Sequence, residues 1–206
     1  NMNLSNNTSK VLKLADSTIP NSGYNSFVEG YPIGSYFGYD FDGFIQTEQE
    51  LADYNAKMTS GIPNNLSLGD VRYKDLDGDG KLLPQVYKLG EDGKPTTDSG
   101  DMNHLGDNGQ HYLFGINLGV NWKNIDLSMF FQGVLKWQVL ESNKPIEYDS
   151  WPPQEYFYGK YWTSGNTNAV YPRLSQNDAV KNHDYVASNA PYKFYNNRYI
   201  RLKNLQ

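Results

Sequence analysis

The sequence has no cysteine, which removes disulfides, thiolate metal centres and cysteine nucleophiles together. It has no run of about eighteen apolar residues, so no segment reads as a transmembrane helix. It lacks a basic surplus: 18 Lys and Arg stand against 23 Asp and Glu, a net charge of -5. No basic face is available to neutralise phosphates, and a nucleic-acid partner is excluded. No signal peptide stands at the start. The three histidines, His104, His111 and His183, have neither metal-ligand spacing nor a nucleophile beside them. Apolar residues are also scarce, at 38% with a mean hydropathy of -0.71, low for a chain that builds its own large core.

What is present is aromatic. Seventeen Tyr and four Trp make the chain too aromatic for a disordered segment. A few apolar strands joined by long, polar, aromatic-rich loops would produce this average. The clearest strands lie between His111 and Trp137. Tyr112, Phe114, Ile116, Leu118, Val120 and Trp122 alternate with Gly115, Asn117, Gly119 and Asn121, giving one apolar face and one small or polar face. Ile125, Leu127, Met129, Phe131, Gly133, Leu135 and Trp137 then share a face, and a tight turn at Lys123-Asn124 makes the unit an antiparallel hairpin. Two readings fit it: a soluble sheet with its apolar face on a core, or two transmembrane β-barrel strands with Trp122 and Trp137 at the limits of the apolar band.

Three further stretches carry signals. Thr47-Glu48-Gln49-Glu50 is a capping box, followed by Leu51, Tyr54 and Met58 on one helical face, with Gly61-Ile62-Pro63 as the stop. Asp75-Leu76-Asp77-Gly78-Asp79-Gly80 matches the first half of an EF-hand-type loop, where alternate carboxylates converge on a hard cation and glycine allows the sharp turn. Asp75, Asp77 and Asp79 side chains with the Lys81 carbonyl are the expected calcium ligands. Val86 occupies the position where a bidentate Glu belongs, so a solvated Asp/Gly turn is the competing reading. Aromatic stretches around Tyr36 and Tyr39, and at Trp151, Tyr156, Tyr158 and Trp162, supply the rings on which apolar sugar faces stack. The same rings could instead knit a compact loop. Asp149 and Glu155 lie near aromatics, but nothing sets a glycosidase separation between them, and no catalytic residue is assigned.

Several blocks together resemble a known family. Glu29 to Ser35, Gly43 to Thr47, Gly69 to Gly80, Phe114 to Leu118, Phe130 to Gly133 and Tyr199 to Leu205 look like the C-terminal third of the SusC/RagA family of TonB-dependent outer-membrane transporters, in the right order across essentially the whole chain. Asp77 departs from the Asn that many members carry. The resemblance implies an all-β fold, part of a large antiparallel transmembrane barrel whose long extracellular loops carry a short helix. Strands are expected near 1–14, 111–122, 125–137 and 194–206, a periplasmic turn at 123–124, and extracellular loops at 15–109 and 138–193. Asn117, Asn121, Asp126, Ser128 and Gln132 would line the lumen. The chain ends on Arg201 to Gln206, which reads as strand cut mid-course, so a fragment is expected. The resemblance further implies a bacterial outer-membrane location, no enzymatic activity, and import of oligosaccharides or peptides. Its partners would be a SusD-like surface lipoprotein, outer-membrane lipid, and TonB, the last through a plug region not present here. A soluble β-rich carbohydrate-binding or glycosidase domain is the alternative, and a structural adhesin the third reading.

Overall fold

The computed structural model of the protein describes residues 1–14, 27–62, 65–140, 155–174 and 188–206. Among these, the elements run β1 (Met2–Ser5), β2 (Ser35–Tyr39), β3 (Phe41–Phe44), α1 (Glu48–Lys57), β4 (Val71–Tyr73), β5 (Met102–Asp107), β6 (Gln110–Trp122), β7 (Ile125–Leu140), a short 3₁₀ turn (Glu155–Phe157), β8 (Phe194–Asn196) and β9 (Tyr199–Leu205). The architecture is mostly strand with one helix. It separates into a long antiparallel sheet and a second body built from the connections.

In the sheet, β6 lies between β1 and β7, and β7 pairs in turn with β8 and β9. The register sets Met2 opposite Ile116, Leu118 opposite Met129, Val120 opposite Leu127, Trp122 opposite Ile125, and Phe131 opposite Leu202. Period-two alternation therefore puts all these apolar side chains on one face. Asn117, Asn121, Asp126, Ser128 and Gln132 occupy the other face. Lys123 takes a φ of 54°, the left-handed value that a two-residue hairpin requires at its first central position. Glycine matters at one pair: Gly133 faces Phe114, and a Cβ there would meet the Phe114 ring at 2.5 Å. No closed barrel forms among the described residues, and β1 and β9 each have a neighbour on one side only.

Two strand boundaries differ from expectation. The strand expected over 1–14 stops at Ser5, because Asn6 Oδ1 bonds the His111 ring, Ser9 Oγ accepts from Ile33 N at 3.1 Å, and Val11 turns away into the other body. Val11 exchanges backbone bonds with that body, donating to Tyr31 O at 2.9 Å and accepting from Gly30 N at 2.9 Å. The strand expected over 194–206 is broken at Asn197-Arg198. The Asn196 carboxamide oxygen there accepts from Arg198 N at 3.0 Å, taking over a ladder position.

The second body holds the hydrophobic core. Phe37, Ile45, Val71, Tyr73 and Met102 are almost wholly buried, with Tyr39, Phe44, Tyr54, Met58, Phe157, Trp162, Tyr171 and Tyr192 around them. Two short ladders, β2 with β5 and β3 with β4, form its frame. Helix α1 closes one side. Thr47 Oγ1 accepts from Glu50 N at 3.2 Å, while the Glu50 carboxylate reaches back to Gln46 N at 2.7 Å, one residue before the cap. The helix ends at Lys57, ahead of the expected stop, because Met58 turns extended and Thr59 N bonds Gly80 O at 2.6 Å. Pro63 lies outside the described residues. Edge-on ring pairs such as Tyr31 with Phe37 at 5.1 Å and Phe157 with Tyr171 at 5.0 Å each add about 0.5–1.5 kcal/mol beyond area burial.

Candidate functional site

The residues that the sequence singles out fall almost entirely in this second body, and most of them build it. Tyr36, Tyr39 and Trp162 are only 6%, 5% and 8% exposed. Their ring faces are covered, so these three expected stacking platforms are corrected to core residues. Trp162 Nε1 donates to Gln46 Oε1 at 2.9 Å, satisfying the indole as burial requires. Its six-membered ring also lies where a Cβ on Gly69 would sit, 2.3 Å away, and Gly69 at φ 84° is the residue that permits this approach. Tyr158 is different, at 79% exposed, and it offers an open ring. Trp151 and the side chain of Tyr156 lie outside the described residues, as do Asp149 and His183.

The polar links that close the body join its two halves, which are far apart in sequence. Asp70 is fully buried and receives Arg173 Nε at 2.5 Å, Arg173 Nη2 at 3.1 Å and Ser67 N at 2.6 Å. Burial pushes the Asp70 carboxyl above its ordinary range, and Arg173 offsets only part of that rise. Asn189 Nδ2 donates to Asp40 Oδ1 at 2.9 Å, and Phe41 N donates to Asn189 Oδ1 at 2.7 Å. Sequence reasoning did not pair Asp70 with Arg173: Asp70 lies in the Gly69 to Gly80 block, Arg173 lies 103 residues further on, and nothing local links them.

The Asp/Gly loop closes on itself. Asp75 Oδ1 accepts from Gly78 N at 2.7 Å and its Oδ2 from Gly80 N at 3.1 Å, while Asp77 Oδ1 accepts from Asp79 N at 3.1 Å. Asp79 turns outward: it accepts from Lys81 N at 2.8 Å and pairs with Lys81 Nζ at 3.3 Å. Asp101 takes the inward place that Asp79 leaves. Carboxylate oxygens of Asp75, Asp77 and Asp101 lie within 4.8 Å of one another. Asp101 is fully buried and accepts from Leu76 N at 2.7 Å and Leu83 N at 2.9 Å. Burial raises the pKa of both Asp101 and Asp77, and the neighbouring acidic charges raise them further. Asp101 immediately precedes β5, too distant in sequence for loop spacing to reveal.

Beside this loop, a cavity of about 430 Å³ opens between α1 and the β3–β4 ladder, with Asp42, Asp53, Lys57, Arg72 and Lys74 on its walls. Arg72 pairs with Asp42 at 3.1 Å. Tyr54 forms the floor, and burial pushes its phenol up to about 12, so it stays protonated and keeps its bonds to the Tyr73 backbone.

No family model matches the chain. The chain is 26% identical over 214 residues to the TonB-dependent receptor P3 of Formosa agariphila, an alignment that covers 98% of this chain and 18% of that protein. The chain therefore spans less than a fifth of the relative's length. Similarity at this level is to a TonB-dependent receptor, along a short part of that protein. The relative is a receptor by name rather than an enzyme.

Proposed function

We propose that the chain is a stretch of wall and outer loops from a SusC/RagA-type transporter, importing oligosaccharides or peptides across the outer membrane with a SusD-like lipoprotein and TonB. The observation that carries this reading is the outward face of the sheet. Met2, Leu118, Trp122, Ile125, Ile200, Leu202 and Leu205 are each between 46% and 67% exposed on it. A contiguous apolar face of this extent is an interaction surface, and a strand pattern of apolar residues on one side and small or polar ones on the other suits lipid and lumen respectively. The single open edges of β1 and β9 suit further strands on each side.

In this reading the Trp122 turn lies toward the periplasm, and the second body stands on the outer side as a preformed cap, with Tyr158 and the charged cavity as its ligand-facing features. No residue does covalent chemistry. Brominated lipids test the placement in single-Trp variants. Trp122 fluorescence is expected to be quenched in vesicles, and that of Trp162 is not. A folded, monodisperse monomer that needs no detergent overturns the reading and favours the soluble binding module.

Calcium is a second proposal, for the loop alone. It is supported by the convergence of Asp75, Asp77 and Asp101, whose carboxylates are the ligands in this reading, Asp79 having turned toward Lys81. A hard cation would relieve the repulsion among three carboxylates, and calorimetric titration with calcium tests it.

A further inference from the structure

The chain passes from the second body into the sheet at a short corner between the end of β5 and the start of β6. Two backbone positions at this corner have left-handed torsions: Gly106 at φ 147° and Tyr112 at φ 56°. For tyrosine that value is an outlier, and it sits inside a strand. Between them lies His111, only 8% exposed. Its Nε2 is 2.7 Å from Asp107 Oδ1, and its Nδ1 is 3.0 Å from Asn6 Oδ1. Asp107 ends a strand of the second body, whereas Asn6 follows the outermost strand of the sheet. The same Asp107 oxygen accepts from Gly109 N at 2.8 Å, and Asn108 N donates to Gly34 O at 3.1 Å. Lys136 faces His111 across the ladder. Among the described residues, other contacts also bridge the two regions: Gln138 Nε2 reaches Leu105 O at 3.5 Å, Tyr36 meets Phe194 edge-on at 6.2 Å, and Ser9 Oγ, on the segment after β1, accepts from Ile33 N at 3.1 Å.

We propose that His111 is a latch: by holding Asp107 with one ring nitrogen and Asn6 with the other, it fixes the angle at which the second body stands on the sheet. Backbone torsion alone does not fix that angle, because the corner contains Gly106 and Gly109 and carries strain at Tyr112. The imidazole spans the corner and replaces a continuous ladder with two bonds from one ring. His111 is in this sense a positioning residue. Loss of the ring leaves the core of the second body and the β6–β7 ladder intact and frees the angle between them.

The absence of cysteine makes the test direct. In the full chain in detergent micelles, spin labels are attached at Leu118→Cys on the sheet and Tyr158→Cys on the second body, both at exposed positions. Double electron–electron resonance is expected to give one narrow distance distribution. His111→Ala is expected to about double its width, while amide protection at Val71 and Tyr73 stays at the parent level. His111→Gln, whose amide nitrogen can donate to Asp107 Oδ1 in place of the ring, is expected to recover part of the narrow distribution. Asn6→Ala removes one arm of the latch at the surface and is expected to broaden the distribution less, which keeps the test alive if His111→Ala does not fold. A His111→Ala distribution as narrow as the parent's overturns the proposal. So does broadening that His111→Gln shares in full, or broadening that comes with lost protection at Val71.

Discussion

The sheet and the second body are made from the same residue types, and they treat water in opposite ways. In the sheet, Ile200 and Trp122 are 67% and 61% exposed and the polar side chains line the opposite face. In the second body, Phe37, Ile45 and Val71 are completely buried and even Asp70 is drawn inside. A single mean hydropathy of -0.71 describes neither region. The difference shows that apolar content alone does not fix how much surface a chain hides; strand length and regularity decide it too. The two long strands β6 and β7 present an unbroken apolar stripe. The short strands β2 to β5, interrupted by Gly and Asp, curl into a closed core.

The comparison predicts unequal responses to substitution. The largest belongs to Phe37→Ala: the ring is fully buried and packed edge-on against Tyr31, and its loss is expected to cost about 3–5 kcal/mol. Hydrogen exchange at the Tyr73 amide reads this loss, and the same value is expected with and without lipid. A cost that depends on lipid would mean that the second body leans on the membrane for its core.

Arg173→Met is next. It leaves the buried Asp70 without its ion-pair partner, and breaking a buried pair costs about 3–5 kcal/mol. The sign with pH follows from burial. Asp70 and Asp101 have native pKa values raised above the ordinary 3.8, so the native state binds protons more tightly than the unfolded one. Stability from these two groups is therefore greatest at low pH and falls as pH rises from 3.8 through their native values. Arg173→Met should show a smaller deficit in acid than at neutral pH, by denaturant titration at both. A deficit that is constant with pH would show that Arg173 contributes apolar contacts rather than charge.

On the sheet side, Leu118→Arg is expected to cost about 2–4 kcal/mol in bilayers if Leu118 lies near the midplane. Tyr158→Arg, at the exposed ring of the second body, should stay within about 0.5 kcal/mol in the same bilayers, as for other exposed positions. Equal effects at the two positions would erase the distinction between the two regions.

Much of the sheet was legible from local pattern. Period-two alternation from Tyr112 to Trp137 and the Lys123-Asn124 turn are properties of adjacent residues, and β6 and β7 form over those positions with ends shifted by a few residues. The capping box at Thr47 was legible for the same reason. What the pattern did not carry was partnership across distance. Trp162 against Gly69, Arg173 on Asp70 and Asn189 on Asp40 join segments more than ninety residues apart in sequence. Aromatic residues spaced like exposed platforms at Tyr36, Tyr39 and Trp162 therefore read as open rings, although packing between the two long connections buries them. Tyr158, on a turn with Gly159, stays open.

The Asp/Gly loop sits between these cases, since its own three aspartates were visible and its third inward carboxylate was not. Its expected response is the smallest and the most conditional. With calcium at a hundred times its dissociation constant, binding to the native state alone adds about 2.7 kcal/mol, a rise of roughly 5–10 °C in the melting temperature for a chain of this size. Asp77→Asn keeps an oxygen to accept from Asp79 N and removes one of the three converging charges. It is therefore expected to leave the calcium-free melting temperature unchanged or slightly raised and to abolish most of the calcium-dependent rise. Asp79→Asn, which alters a carboxylate already turned toward Lys81, is expected to keep that rise. If Asp79→Asn removes the response and Asp77→Asn does not, the ligand set is the one spaced along the loop, and Asp101 serves only to hold Leu76 N and Leu83 N. If neither variant differs from a parent that shows no rise, the three carboxylates are held by backbone amides and by Lys57 Nζ, 3.7 Å from Asp75 Oδ2, and the loop is a turn that folds without a cation.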